Sequence, residues 1–230
     1  MVLALGLAAA PAHADEASSG RPEGEVLDRV VAVVRLRNER DSSQRDEELV
    51  TESDLELEAK VALIQHGGVA AAFARLDAAT LESALEQAIA ERLLVLEADK
   101  LNAYRVEPEE LDRAERDFIA RFRSQEEFER FLRLQGADRR RVRAILERGL
   151  RAAKELDGKI HLRAQISESE VRQYFDAHRA EMGAASFEDK KLELRGWLFR
   201  QRYQKLAKEE TAALRKAADV RNVASKEDGT

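Results

Sequence analysis

Thr80 to Leu101 reads TLESALEQAIAERLLVLEADKL, and this stretch decides the fold. Leu81, Leu85, Ile89, Leu93 and Leu96 recur at three- and four-residue steps, which places them on one face of a helix. Ala84 and Ala88 widen that face. Leu93, Leu94, Val95 and Leu96 then run together, so for one turn the helix is apolar all round. A helix of that kind needs neighbours on every side. It belongs at the centre, with the rest of the chain packed around it.

The flanking segments supply those neighbours. Val26 to Arg37, VLDRVVAVVRLR, is rich in β-branched residues and reads as a strand. Glu48 to Thr51 reads as a second strand, joined to the first through the polar stretch Asn38 to Asp46. Thr51 and Asp54 form a capping pair that opens a helix through Leu55, Leu57, Ala59, Val61 and Ile64, stopped at Gly67-Gly68. Beyond the central helix, Pro108 suits a first helical turn, followed by a stripe of Leu111, Ala114, Phe118 and Phe122. Ser124 caps a short helix ended by Gly136, and Asp138 caps a long one reaching Ile160. Ser167 caps the next helix, with Val171, Tyr174 and Phe175 inward, and Ser186 caps the last long one. Ala218 to Val223 alternates like a brief strand. A lone two-stranded hairpin is marginal in water, so the terminal strand is expected to add to it as a third member. The fold class is therefore mainly α: a multi-helix body with a small β-sheet formed by an N-terminal hairpin and a C-terminal strand.

Composition narrows the function. The chain has 230 residues, 37% of them charged and 5% aromatic, with a formal net charge of −6. That balance disfavours general nucleic-acid binding. There are no cysteines, which excludes disulfides and thiolate metal sites. Residues 1–14 form an apolar run closed by Ala12-His13-Ala14, read as a secretory signal cut after Ala14. Residues 15–25 are a polar linker, residues 26–224 one domain, and residues 225–230 a fraying tail. The remaining sequence holds no apolar segment of membrane-spanning length, so no stable membrane insertion is expected after signal removal.

No catalytic motif emerges. His66, His161 and His178 are scattered, without HExxH spacing, and GxSxG, P-loop and GxGxxG patterns are absent. No catalytic, cofactor-binding or metal-ligating residue is assigned. Phe118, Phe122, Phe128 and Phe131 lie at helical spacing. They read either as packing between two helices or as an apolar groove for extended client segments. Trp197 and Tyr203 either line such a surface or lock the last helix onto the core. The basic run Arg139-Arg140-Arg141 with Arg143 reads as a solvated helix start or as a site for an anion.

The order of several segments resembles a known family. LDRVVAVV (Leu27 to Val34), ELVTESDLELEA (Glu48 to Ala59), ALEQAIAERLLVLEADK (Ala84 to Lys100) and VEPEELDRA (Val106 to Ala114) resemble the N-terminal module of the SurA-type periplasmic chaperones. ISESEVRQYFDAH (Ile166 to His178) resembles the lead-in to the parvulin prolyl isomerase domain of that family. SFEDKKLELRGWLFRQRYQKL (Ser186 to Leu206) resembles its closing helix. Together the segments cover roughly Val26 to Val223. The polar stretch Asn38 to Asp46 departs from the family's short turn. Only Arg179 to Ala185 separates the lead-in from the closing helix, too little for a catalytic domain of about 100 residues. The resemblance thus implies the chaperone scaffold without the isomerase, in the periplasm. It would hold unfolded or nascent envelope or outer-membrane proteins without ATP. Phe118, Phe122, Phe128, Phe131, Trp197 and Tyr203 are the candidate client-binding residues. The alternative is a non-catalytic interaction or scaffold protein of the cell envelope that docks one folded partner. Oligomeric state is left open.

Overall fold

The computed structural model describes residues 28–36 and 47–223. The proposed signal, the linker, the Asn38 to Asp46 stretch and the tail lie outside the described residues. Strand β1 (Val30–Leu36) is followed by β2 (Glu47–Thr51) and α1 (Glu52–Gln65). A 3-10 turn over Val69–Phe73 leads to α2 (Ala78–Lys100). Then come α3 (Pro108–Ile119), α4 (Gln125–Leu134), α5 (Arg139–Ala164), α6 (Glu168–Ala177), α7 (Phe187–Ala217) and β3 (Ala218–Asn222). The sheet order is β2-β1-β3, with β1 antiparallel to both neighbours. Val34 faces Glu48 on one side and Val220 on the other. The two ends of the described chain therefore meet in one sheet, as the sequence pattern predicts.

Short polar side chains set where every α-helix but α3 begins. Thr51 Oγ1 accepts from the Asp54 amide at 3.3 Å, Asp77 from Thr80 at 2.7 Å and Asp138 from Arg141 at 2.8 Å. Ser124, Ser167 and Ser186 each cap at 3.3 Å. Each bond satisfies an amide that the first helical turn leaves unpaired. Gly67 and Gly136 follow the ends of α1 and α4 with φ of +93° and +53°, a backbone region open mainly to glycine.

Helix α2 runs under the sheet and contacts α1, α5 and α7. Leu93, Leu94 and Leu96 are 0%, 4% and 5% exposed, on different sides of the same turns. Ile89, Leu93 and Leu96 pack with Val31, Ala32 and Val34 of β1, Val50 of β2 and Ala218 of β3. A second core joins Leu57, Val61 and Ile64 of α1 to α3, α4 and α5. Phe118, Phe122, Phe128 and Phe131 are the centre of that core, none more than 6% exposed, with ring centroids 5.4–6.4 Å apart. Of the two readings of these phenylalanines, packing describes them; their rings present no groove to a client. The physical reason is that α3 and α4, being short, each expose a single apolar stripe, and the two stripes close on each other and on α5.

Charges are also used inside. Arg92 of α2 donates to Glu58 of α1 through both Nη atoms, at 2.9 and 2.7 Å, and Arg148 of α5 pairs with the same carboxylate. Arg92 and Glu58 are buried. Two guanidinium groups on one carboxylate hold three helices at a fixed crossing, and removing one partner would strand a buried charge.

The arginine run at the start of α5 is explained by the same device. Arg139 and Arg143 reach Glu115 of α3 at 2.5 and 2.6 Å, Arg143 also reaches Asp112, and Arg141 reaches Asp54 of α1 at 2.6 Å. These side chains clamp α5 to α3 and α1, and only Arg140 of the run points outward without such a pair among the described contacts. Three cations oppose the dipole at a helix N-terminus, and the four carboxylate contacts offset that.

Replacing Phe131 by Ala is expected to cost about 3–5 kcal/mol of stability, as for other large core aromatics. Urea unfolding measures it; a loss of under about 1 kcal/mol, the scale of surface substitutions, would contradict the core assignment.

Candidate functional site on the α6–α7 arm

Helices α6 and α7 diverge from the body in one respect: they carry their own apolar cluster. Ile166, Val171, Phe175, Phe187 and Leu194 are buried together, with Tyr174, Met182, Leu198 and Phe199 packed against them. All nine come from the α6–α7 region and the residue leading into it. Arg179 and Ala185 close the turn between the helices through a 2.6 Å hydrogen bond from Nη1 to the carbonyl oxygen. The second half of α7 then packs on α5 and α2 and delivers β3 to the sheet.

An open cleft of about 310 Å³ lies along this arm, lined by Ile166, Tyr174, Ala177 and Leu198 with Glu170, Gln173, His178 and Arg202. The rings of Tyr174 and His178 stack at 4.0 Å, and Trp197 packs on Tyr174 at 5.2 Å. The stack follows from i,i+4 spacing on α6, fixed further by His178 Nδ1, which bonds the Tyr174 carbonyl at 2.9 Å. Trp197 is 39% exposed. Along the same helix Phe199 packs between His161 and Tyr203, at 5.5 and 5.8 Å. Tyr203 is half-buried, and that burial, with Asp157 nearby, pushes its phenol up from 10.0. Leu162 and Leu192, at the end of α5 and on α7, are 84% and 78% exposed.

The polar rim is pinned in place. Arg202 donates to the Gln165 carbonyl at 2.9 Å and pairs with Glu170, which also closes the Ser167 capping box. The Arg202 guanidinium, then the Ser167 amide and hydroxyl, hold the Glu170 carboxyl at about 2, well below the usual carboxylate range. The cleft thus joins aromatic faces and aliphatic walls to a preset donor-acceptor pair. Such a surface can hold apolar side chains by dispersion and ring contact.

A second trench runs between α1 and α2. One cavity of about 250 Å³, closed on its far side by Ile145, Leu146 and Leu150 of α5, is lined by Ala59, Ala62, Ala84 and Ala88 with Glu58, Gln87 and Glu91. A neighbouring cavity of about 430 Å³ shares Ala59, Ala62, Ala84 and Gln87 with it. Burial raises the Glu91 carboxyl, while Gln87 donates to it at 2.9 Å.

Of the six residues read from sequence as client-binding candidates, the structure brings only Trp197 to an open surface, while Tyr203 is half-buried against Phe199. The other four are core. The sequence pattern reads Tyr174 as inward, and it packs half-buried against the arm's cluster; its stack with His178 has a sequence signal only in their spacing of four residues. His66 and His161 likewise bond within their own helices, to the Ala62 carbonyl at 2.7 Å and to Asp157 at 3.1 Å. Among the described residues there is no group of three or more His, Asp or Glu able to hold a metal ion, and no helix long and apolar enough to cross a membrane. No family model and no curated protein matches the chain.

Replacing Arg202 by Met should free Glu170. Its carboxyl titration, followed by NMR, is expected to move from about 2 toward 4.5. Because the folded value is depressed, the pairing stabilises the arm above pH 4.5 and is lost as pH falls toward 2. An unchanged midpoint would contradict the assigned pairing.

Proposed function

We propose that this protein is an ATP-independent chaperone of the cell envelope. It holds unfolded envelope or outer-membrane proteins and has no isomerase activity. The observation that carries the reading is the aromatic cleft of the α6–α7 arm. It opens Tyr174, His178 and Leu198 to solvent, with half-exposed Trp197 packed on Tyr174, apart from the two cores of the helical body, and Leu162 of α5 and Leu192 of α7 are exposed as well. The resemblance of the segment order to SurA-type chaperones supports it. So does the short α6–α7 turn, which lies where relatives of that type carry the isomerase. Weak apolar contacts with little shape preference would compete with client self-association while leaving each segment free to exchange.

The test is suppression of aggregation of a urea-denatured outer-membrane protein diluted into buffer. The protein is expected to suppress it at stoichiometric ratio. Trp197→Ala with Tyr174→Ala is expected to weaken suppression roughly tenfold, from two ring contacts of about 1 kcal/mol each or less. No suppression at stoichiometric excess would overturn the proposal. A pull-down dominated by one folded partner would favour the scaffold reading in its place.

A further inference from the structure

Glu155 on α5 is 1% exposed, and its Oε2 has no hydrogen-bond partner among the described residues. Buried carboxylates are ordinarily paired, so this group needs a reason. Its nearest cation is Lys159, one turn along α5, whose Nζ lies 3.6 Å from Oε1. That is longer than a hydrogen bond. Lys159 is instead drawn to two other helices. It pairs with Glu97 of α2, and it donates to Glu210 of α7 at 3.3 Å. Arg163 approaches Glu210 from the rim at 3.7 Å, and a turn earlier Arg151 pairs with Asp99 across the same α5–α2 seam at 2.5 Å.

Three carboxylates, one from each helix, therefore share one half-buried ammonium where α2, α5 and α7 meet. Glu97 and Glu210 each gain from Lys159. Glu155 is the surplus charge: it repels both and competes for the cation that bridges them.

We propose that Glu155 is an acid-operated clamp. When its carboxyl takes up a proton, Lys159 is left to Glu97 and Glu210 alone and draws α7, with β3 at its end, onto α2 and α5. This does not depend on the chaperone reading. Burial is the largest influence on Glu155 and raises its carboxyl above the ordinary 4.5; Lys159 opposes the rise, while Glu97 and Glu210 add to it. A carboxyl raised in the folded state costs stability while it is ionised. The cost fades as pH falls through the folded value toward the unfolded one. The clamp is loose at neutral pH and tight in mild acid.

The experiment compares the full chain with Glu155→Gln, a variant that mimics the protonated form at every pH. Unfolding midpoints and amide exchange of residues 214–222, corrected for intrinsic rates, are read at pH 7.5 and pH 5. In the wild type, protection of those residues is expected to rise on acidification, by roughly tenfold for each unit by which the Glu155 value exceeds the unfolded one. In Glu155→Gln it is expected to be high at both. The variant should be the more stable protein at pH 7.5, with the gap closing at pH 5. Lys159→Met, which removes the bridging cation, should abolish the gain in protection of residues 214–222 on acidification. A Glu155→Gln protein no more stable than wild type at pH 7.5, or a gap that persists unchanged at pH 5, would overturn the clamp.

Discussion

The burial of one helical turn governs this fold. Leu93, Leu94 and Leu96 point in different directions from α2 and all lie within 5% of full burial. Three sides of the helix at that level cannot be left to water without exposing a leucine, at a cost of about 1.5–3 kcal/mol each, while Val95 on the fourth is half-buried. The sheet must cover one side and the helices the others. A two-stranded hairpin is too narrow for its part, and β3 from the far end of the chain makes up the width. That requirement fixes the path of α7, because the helix has to deliver Ala218 to β1.

Electrostatics refines what the apolar surfaces arrange. Glu58 receives Arg92 and Arg148, Glu115 receives Arg139 and Arg143, and Lys159 is shared among three carboxylates. Each of these groups ties together two or three helices. In the first two the charges are complemented and rigidify a crossing. In the third Glu155 is left without a full partner, and on the proposed clamp the seat of α7 strengthens when that carboxyl is protonated. The α6–α7 arm grows from that same helix, so its attachment and its exposed cleft share a single mechanical element.

Much of this was legible in the sequence, for local reasons. Ser, Thr and Asp caps announce helix starts because few other residues can satisfy the first-turn amides. Thr51, Ser124, Asp138, Ser167 and Ser186 each cap where the pattern places them. The third strand was legible because ADVRNV alternates and the hairpin alone is insufficient. The 3-10 turn at Val69–Phe73 was not, since VAAAF has neither cap nor period. The arginine run was opaque because its partners, Asp54, Asp112 and Glu115, lie 24 to 87 residues away. For the site, helical spacing could not separate core from groove. Phe118 and Trp197 both sit on amphipathic helices, and only the presence of α4 and α5 over one and open space beside the other divides them.

On the proposed function, client contact lies on the α6–α7 arm and not on the buried phenylalanine core. Site-specific photo-crosslinking to a denatured outer-membrane protein tests this most directly, with the probe at position 197 or, as a control, at exposed Arg121 of the α3–α4 junction. The account predicts strong client adducts from position 197 and few from position 121. Adducts of equal strength from both, or from position 121 alone, would contradict it.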